Sequence, residues 1–144
     1  MRRYFFRDEN GVGAIEFALI APFMAILLLG IASGWAYYSQ NNFMRDGVEV
    51  AGKYFLQGGT SQETGLAIAE AAWTDKPDDG TVELNQTCIC VGAAASCGSV
   101  CSDGSIPEKY WTIEASRAFK DPFFIDPFFP DGLPLYEREV IRVR

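Results

Sequence analysis

The sequence predicts an α+β chain. A long amino-terminal transmembrane helix continues out of the membrane and leads, through a second short helix, to a small antiparallel β-sheet of about three strands with a disulfide-stapled loop. Three observations carry that prediction. From Phe17 to Met44 no residue is charged, and this run follows one isolated carboxylate at Glu16. After Gly80 the apolar spacing changes from helix-like to strictly alternating. Cys88, Cys90, Cys97 and Cys101, which are all the cysteines of the chain, share one segment rich in Gly, Ala and Ser.

The first residues, 1–10, form a short basic and aromatic tip, and Asn10-Gly11 breaks it from the apolar run. About 20 apolar residues at roughly 1.5 Å each span a hydrocarbon core of about 30 Å, so residues 12–37 suffice to cross a bilayer with some tilt. Arg2, Arg3 and Arg7 precede the run, whereas Arg45 and Lys53 beyond it are offset by Asp46 and Glu49. The positive-inside bias therefore predicts a cytoplasmic amino terminus and a periplasmic carboxy-terminal domain in a bacterial inner membrane. Pro22 lacks an N–H, which frees the carbonyl of Ala18 and predicts a kink. Gly30 and Gly34, with Ser33 beside them, have the small-residue spacing that permits close helix contact.

Helical spacing goes on past the membrane. Phe43, Gly47 or Val48, Ala51 and Phe55 recur at three- and four-residue steps, which predicts one helix over residues 12–56. Gly58-Gly59 ends it, and Thr60-Ser61-Gln62-Glu63 opens a second helix reaching Trp73. Pro77 and Asp78-Asp79-Gly80 mark a turn. Val82, Leu84, Cys88 and Cys90 then share one strand face; Trp111, Ile113, Ala115 and Phe119 do so in a second strand. Residues 135–144 form the third, whose Val140-Ile141 pair interrupts strict alternation. The resulting division is a leader at 1–11, a transmembrane helix at 12–37, an amphipathic extension at 38–57 and an extracytoplasmic α+β domain at 58–144.

Four cysteines in an oxidising compartment read as two disulfides. A zinc site is the weaker alternative, because C-x-C and C-x3-C spacing lacks the usual C-x2-C pairs and the chain has no histidine. Of three possible pairings, a hairpin favours the nested one, Cys90 with Cys97 and Cys88 with Cys101. Between the last two strands lies a tandem carrying Phe123, Phe124, Phe128 and Phe129. These rings either complete the core of a thin sheet or stay exposed as a partner patch.

Composition narrows the function classes. A net charge of −7 and a pI near 4.5 argue against nucleic acid, since phosphate recognition needs clustered Lys and Arg. With no histidine, no phosphate loop and no C-x2-C redox pair, an enzyme is disfavoured; no catalytic residue, metal, cofactor or small-molecule substrate is expected. A secretory signal cut near Gly34-Trp35-Ala36 is disfavoured by Glu16 inside its apolar region.

The segment from Gly11 to Leu29 resembles the amino terminus of TadE-type pseudopilins, minor pilin-like proteins of the tight-adherence (Tad/Flp) pilus system. Gly11, four small or apolar residues, Glu16, the aromatic Phe17, and an apolar helix with the early Pro22 carry the resemblance. It implies a pilin-like fold and cleavage between Gly11 and Val12 by a prepilin peptidase, which leaves Glu16 as the fifth residue. It also implies partners: a sister pseudopilin, the major pilin, an inner-membrane assembly platform and the lipid bilayer. Glu16 can then meet the new amine of Val12 or of a neighbour, which offsets part of the cost of a charge in lipid. The alternative from another class is an unprocessed, single-pass membrane anchor presenting a periplasmic binding or adhesion domain.

Overall fold

The computed structural model describes residues 10–121 and 131–143. Its elements are α1 (Asn10–Leu56), α2 (Gln62–Ala72), β1 (Thr81–Cys90), β2 (Ala93–Ala95), β3 (Glu108–Phe119) and β4 (Leu133–Val143). The four strands form one antiparallel sheet in the order β2-β1-β3-β4. The predicted α+β class and its two helices are present.

Helix α1 has 47 residues, about 70 Å at 1.5 Å per residue. Its second half lies against the sheet. Met44, Val48, Ala51 and Phe55 form the buried stripe, with Met44 in the place expected of Phe43, which is only partly buried, and meet Ala69 and Trp73 of α2 and Leu84, Trp111, Ile113, Ala115, Leu135 and Ile141 of the sheet. Phe55 stacks on Trp111 with centroids 4.2 Å apart and planes at 19°. Gly47 is where α2 crosses closely: a Cβ there would stand 2.8 Å from the Ala69 carbonyl oxygen.

Each boundary has a local cause. Gly58, at φ +95°, lets its N–H reach the Phe55 carbonyl and the Gly59 N–H reach the Tyr54 carbonyl, which closes α1 with a left-handed cap. The Ser61 side chain accepts from the Thr64 N–H at 3.2 Å and starts α2. The inner faces of β1 and β3 are those read from the sequence, with Leu84, Cys88, Trp111, Ile113, Ala115 and Phe119 buried.

Strand β4 differs from its expected pattern. Alternation is kept throughout: Leu135 and Ile141 are buried, while Val140 is 52% exposed on the outer face. The inner positions between them are Glu137 and Glu139, since the polar side chains of α1 lie opposite; Asn41 Nδ2 donates to Glu137 Oε1 at 3.3 Å.

The disulfides pair Cys88 with Cys97 and Cys90 with Cys101, which corrects the nested expectation. The reason is a hairpin tighter than the sequence suggested. Val91 and Gly92 both take positive φ, 48° and 81°, and form a two-residue turn that pairs Cys90 with Ala93 and Cys88 with Ala95. Cys97 thus lies just past the partner of Cys88 and beyond the reach of Cys90. This turn also creates β2, a strand that the small residues of the segment had concealed.

Two outcomes follow from this packing. Gly47→Ala is expected to destabilise the fold by about 1–3 kcal/mol, because the added methyl meets backbone, whereas Gly30→Ala, with open space around it, is not; thermal unfolding of the detergent-solubilised chain compares them. In Cys90→Ser/Cys101→Ser protein alkylation is expected to find no free thiol, against two in Cys88→Ser/Cys101→Ser, and loss of either bridge costs about 2–4 kcal/mol.

Candidate functional site

The first half of α1 has an apolar surface that the chain itself leaves bare. From Ile15 to Ile31 its large hydrophobic side chains point outward, Phe17 being 72% exposed. The first buried residue is Ser33. Residues 13–32 span about 30 Å, the thickness of a hydrocarbon core. A helix this apolar could belong to the core of a soluble protein, but none of its most apolar window is buried. Its length and apolar surface suit a single-pass membrane anchor.

At the end of this stretch Trp35 and Tyr38 lie 6.3 Å apart, centroid to centroid, and both are exposed. Aromatic rings with a polar atom favour the membrane–water interface, and these two stand one helical turn past the bare segment. The sequence already carried this signal, as aromatics that follow the most apolar part of the uncharged run. Tyr37 turns the other way and meets the Phe119 ring edge-on at 5.4 Å. The folded domain therefore begins at the level of the aromatic cluster.

Polar contacts fix the helix just above this level. Arg117 Nη1 donates to Gln40 Oε1 at 2.7 Å, and Asn41 holds Glu137. These contacts join residues far apart in sequence, so periodicity gave no sign of them. Farther along, Glu139 faces Gly52 and the Glu49, Lys53 and Arg45 side of α1. Partial burial, followed by the Glu49 charge, raises its pKa above the ordinary glutamate range.

Glu16 stands in the second turn of α1 among Ile15, Phe17, Leu19 and Ile20, all exposed. Among the described residues no hydrogen bond or ion pair reaches it. Gly11 and Val12 are in the first turn of α1, and the helix runs on through Pro22. The anchor thus brings Gly11, Val12, Glu16, Phe17 and Pro22 onto one rod, far from the cysteines. Those cysteines are at the opposite end of the domain, where the β1–β2 turn lies. Phe123, Phe124, Phe128 and Phe129 lie outside the described residues; the pair that flanks them, Phe119 with Leu133, is beside Tyr37. No group of three or more His, Cys, Asp or Glu among the described residues could hold a metal ion.

The bare helix, its lone carboxylate and the glycine before them all lie in a segment that matches a known family. Residues 11–51 resemble a known family. They match the family model described as TadE-like protein. The match covers 41 of the 144 residues, so the likeness is one of this segment. The TadE-like match starts at Gly11 and stops at Ala51, so it covers the anchor and most of the buried stripe of α1, but not the sheet. No curated protein and no solved structure gives a significant match.

The Glu139 environment gives a pH dependence with a definite sign. A carboxylate whose folded pKa is raised binds its proton more tightly in the folded state, so its contribution is favourable at low pH and is lost as pH rises through the folded value. Glu139→Gln is expected to unfold at a higher temperature than the parent at neutral pH. The gap should shrink as pH falls below the ordinary glutamate range, read from melting curves of the full chain in detergent.

Proposed function

We propose that this TadE-like chain is a minor pilin-like subunit that takes part in assembling a Tad-type pilus through its amino-terminal helix. The observation that carries this reading is the division of α1. One half is built into a folded domain, and the other is bare, apolar and marked by a single unpartnered carboxylate. A domain-held rod of this kind is suited to packing with other helices, and its role is mechanical and not chemical.

In this reading a prepilin peptidase cuts between Gly11 and Val12 at the cytoplasmic face. The basic tip keeps that bond out of the bilayer. The cut creates a cationic amine at Val12, one helical turn from Glu16. In lipid, a carboxylate and an ammonium that meet lower each other's cost, so Glu16 sets the register in which the helix joins its neighbours. Phe17 contributes to the same recognition surface. Pro22 leaves the Ala18 carbonyl without its helical donor, and a kink there, within the membrane span, eases extraction of the helix from lipid. The partners are a sister pseudopilin, the major pilin and the inner-membrane platform, and the domain beyond the bilayer lies in the periplasm.

Intact mass and amino-terminal sequence of the protein from membranes test the reading. With the peptidase present the chain is expected to start at Val12, and without it at Met1. A start at Met1 in both cells would favour the unprocessed anchor of a binding domain. Glu16→Gln is expected to leave cleavage and membrane insertion intact but to reduce recovery of the subunit with its pilus partners, measured by co-purification.

A further inference from the structure

Strand β2 covers only residues 88–90 of β1, so among the described residues no strand lies beside residues 81–87 on the side away from β3. This leaves an open sheet edge. Its exposed backbone groups follow from the hairpin. The two-residue turn makes Cys90 and Ala93 a hydrogen-bonded pair, so Cys90 and Cys88 turn their N–H and C=O toward β2. By alternation Gln86, Leu84 and Val82 turn theirs the same way. The Leu84 carbonyl is indeed engaged on its side away from β3, accepting from Gln62 Nε2 at 2.7 Å.

The opposite edge of the sheet is β4. Carrying the alternation through β3 turns the backbone of Tyr136, Arg138, Val140 and Arg142 outward. Pro134 shares that parity, a position where the β3 ladder needs no N–H. Both β1 and β4 are antiparallel to β3, hence parallel to each other.

We propose that β4 of a second copy of this chain adds to the open β1 edge and extends the sheet from subunit to subunit. The inference rests on the anchored reading, because helices standing in one membrane give all copies the same direction and height. At equal height the outer-face rows of the sheet continue across the junction. One row runs Glu83, Glu114, Arg138. Glu83 and Glu114 are like charges directly opposite, an unfavourable pairing. Arg138 Nε bonds Glu114 Oε1 at 3.2 Å and relieves one end only. The added strand sets a second Arg138, from the neighbour, beside Glu83, and the row becomes alternately capped by arginine at both ends. The docking strand displaces the exposed Gln62 amide and takes its acceptor.

The contact is head-to-tail, the kind that propagates into rings or open filaments. Its repeat is three strands, about 14 Å at roughly 4.8 Å per strand. Two helices in direct contact are about 8–10 Å apart, so copies joined by this edge are not nearest neighbours through α1. Edge and helix contacts can therefore be read separately.

The test places a photo-reactive benzoylphenylalanine at Asn85, on the outer face beside the open edge, or at Leu27 on the anchor, in the full chain in its membrane. The expected result is a dimer from Asn85 whose cross-linked peptide maps to residues 136–142 of the second copy. Arg138→Glu should lower its yield several-fold, and Glu83→Arg combined with Arg138→Glu should restore it. Val140→Pro, which removes an outward N–H and leaves the β3 ladder intact, should also lower it. A cross-link to β1 of the second copy or to a different protein overturns the proposal. So does no dimer from Asn85 while Leu27 captures neighbours, which leaves the helix reading standing. Capture from neither position overturns both.

Discussion

The docking of the second half of α1 on the inner face of the sheet is the contact on which the other features depend. Phe55 stacked on Trp111 joins helix to sheet at one end, and the Gln40–Arg117 and Asn41–Glu137 contacts do so at the other. Between them Gly47 lets α2 approach until a missing methyl is all that separates it from the Ala69 carbonyl. Held along this length, α1 cannot swivel relative to the domain. Its bare half is consequently aimed by the sheet, and the direction in which Glu16 presents its carboxylate is set from a site several helical turns away.

The two halves of α1 differ in the solvent for which their surfaces are made. In the domain the helix has a stripe, apolar on one side and charged on the other, because water and a core lie on opposite sides. In the bare half every side is apolar, as befits a surrounding of lipid or of other helices. Trp35 and Tyr38 stand where one regime gives way to the other. The isolated acid is the exception to the second regime.

Most of this architecture was legible because periodicity is a local property. The stripe of α1, the glycine stop, the Ser61 start and the alternating faces of β1 and β3 all follow from residues within a few positions of one another. The bare anchor and its carboxylate were legible for the same reason. What escaped depends on pairing across the chain. The cysteine connectivity turned on whether Val91-Gly92 could make a two-residue turn, and valine at positive φ is a poor advertisement for one. The acidic inner positions of β4 are explained only by Asn41 and its neighbours on α1, which lie far back in the sequence. Charges on an inner face look like an error in register until the facing element is known.

The bond between Asn41 and Glu137 joins positions 96 residues apart, and β4 follows the other described strands in the chain. During synthesis α1 emerges long before the sheet that steadies it. Until β4 arrives, Met44, Val48, Ala51 and Phe55 have no lasting cover, and the anchor can rotate freely under an unfinished domain. A rigidly aimed helix is thus a property of the finished chain alone. Truncated or stalled products would carry the same anchor and the same acid but lack a fixed bearing. The late strand therefore decides when the direction of the helix relative to the sheet becomes fixed.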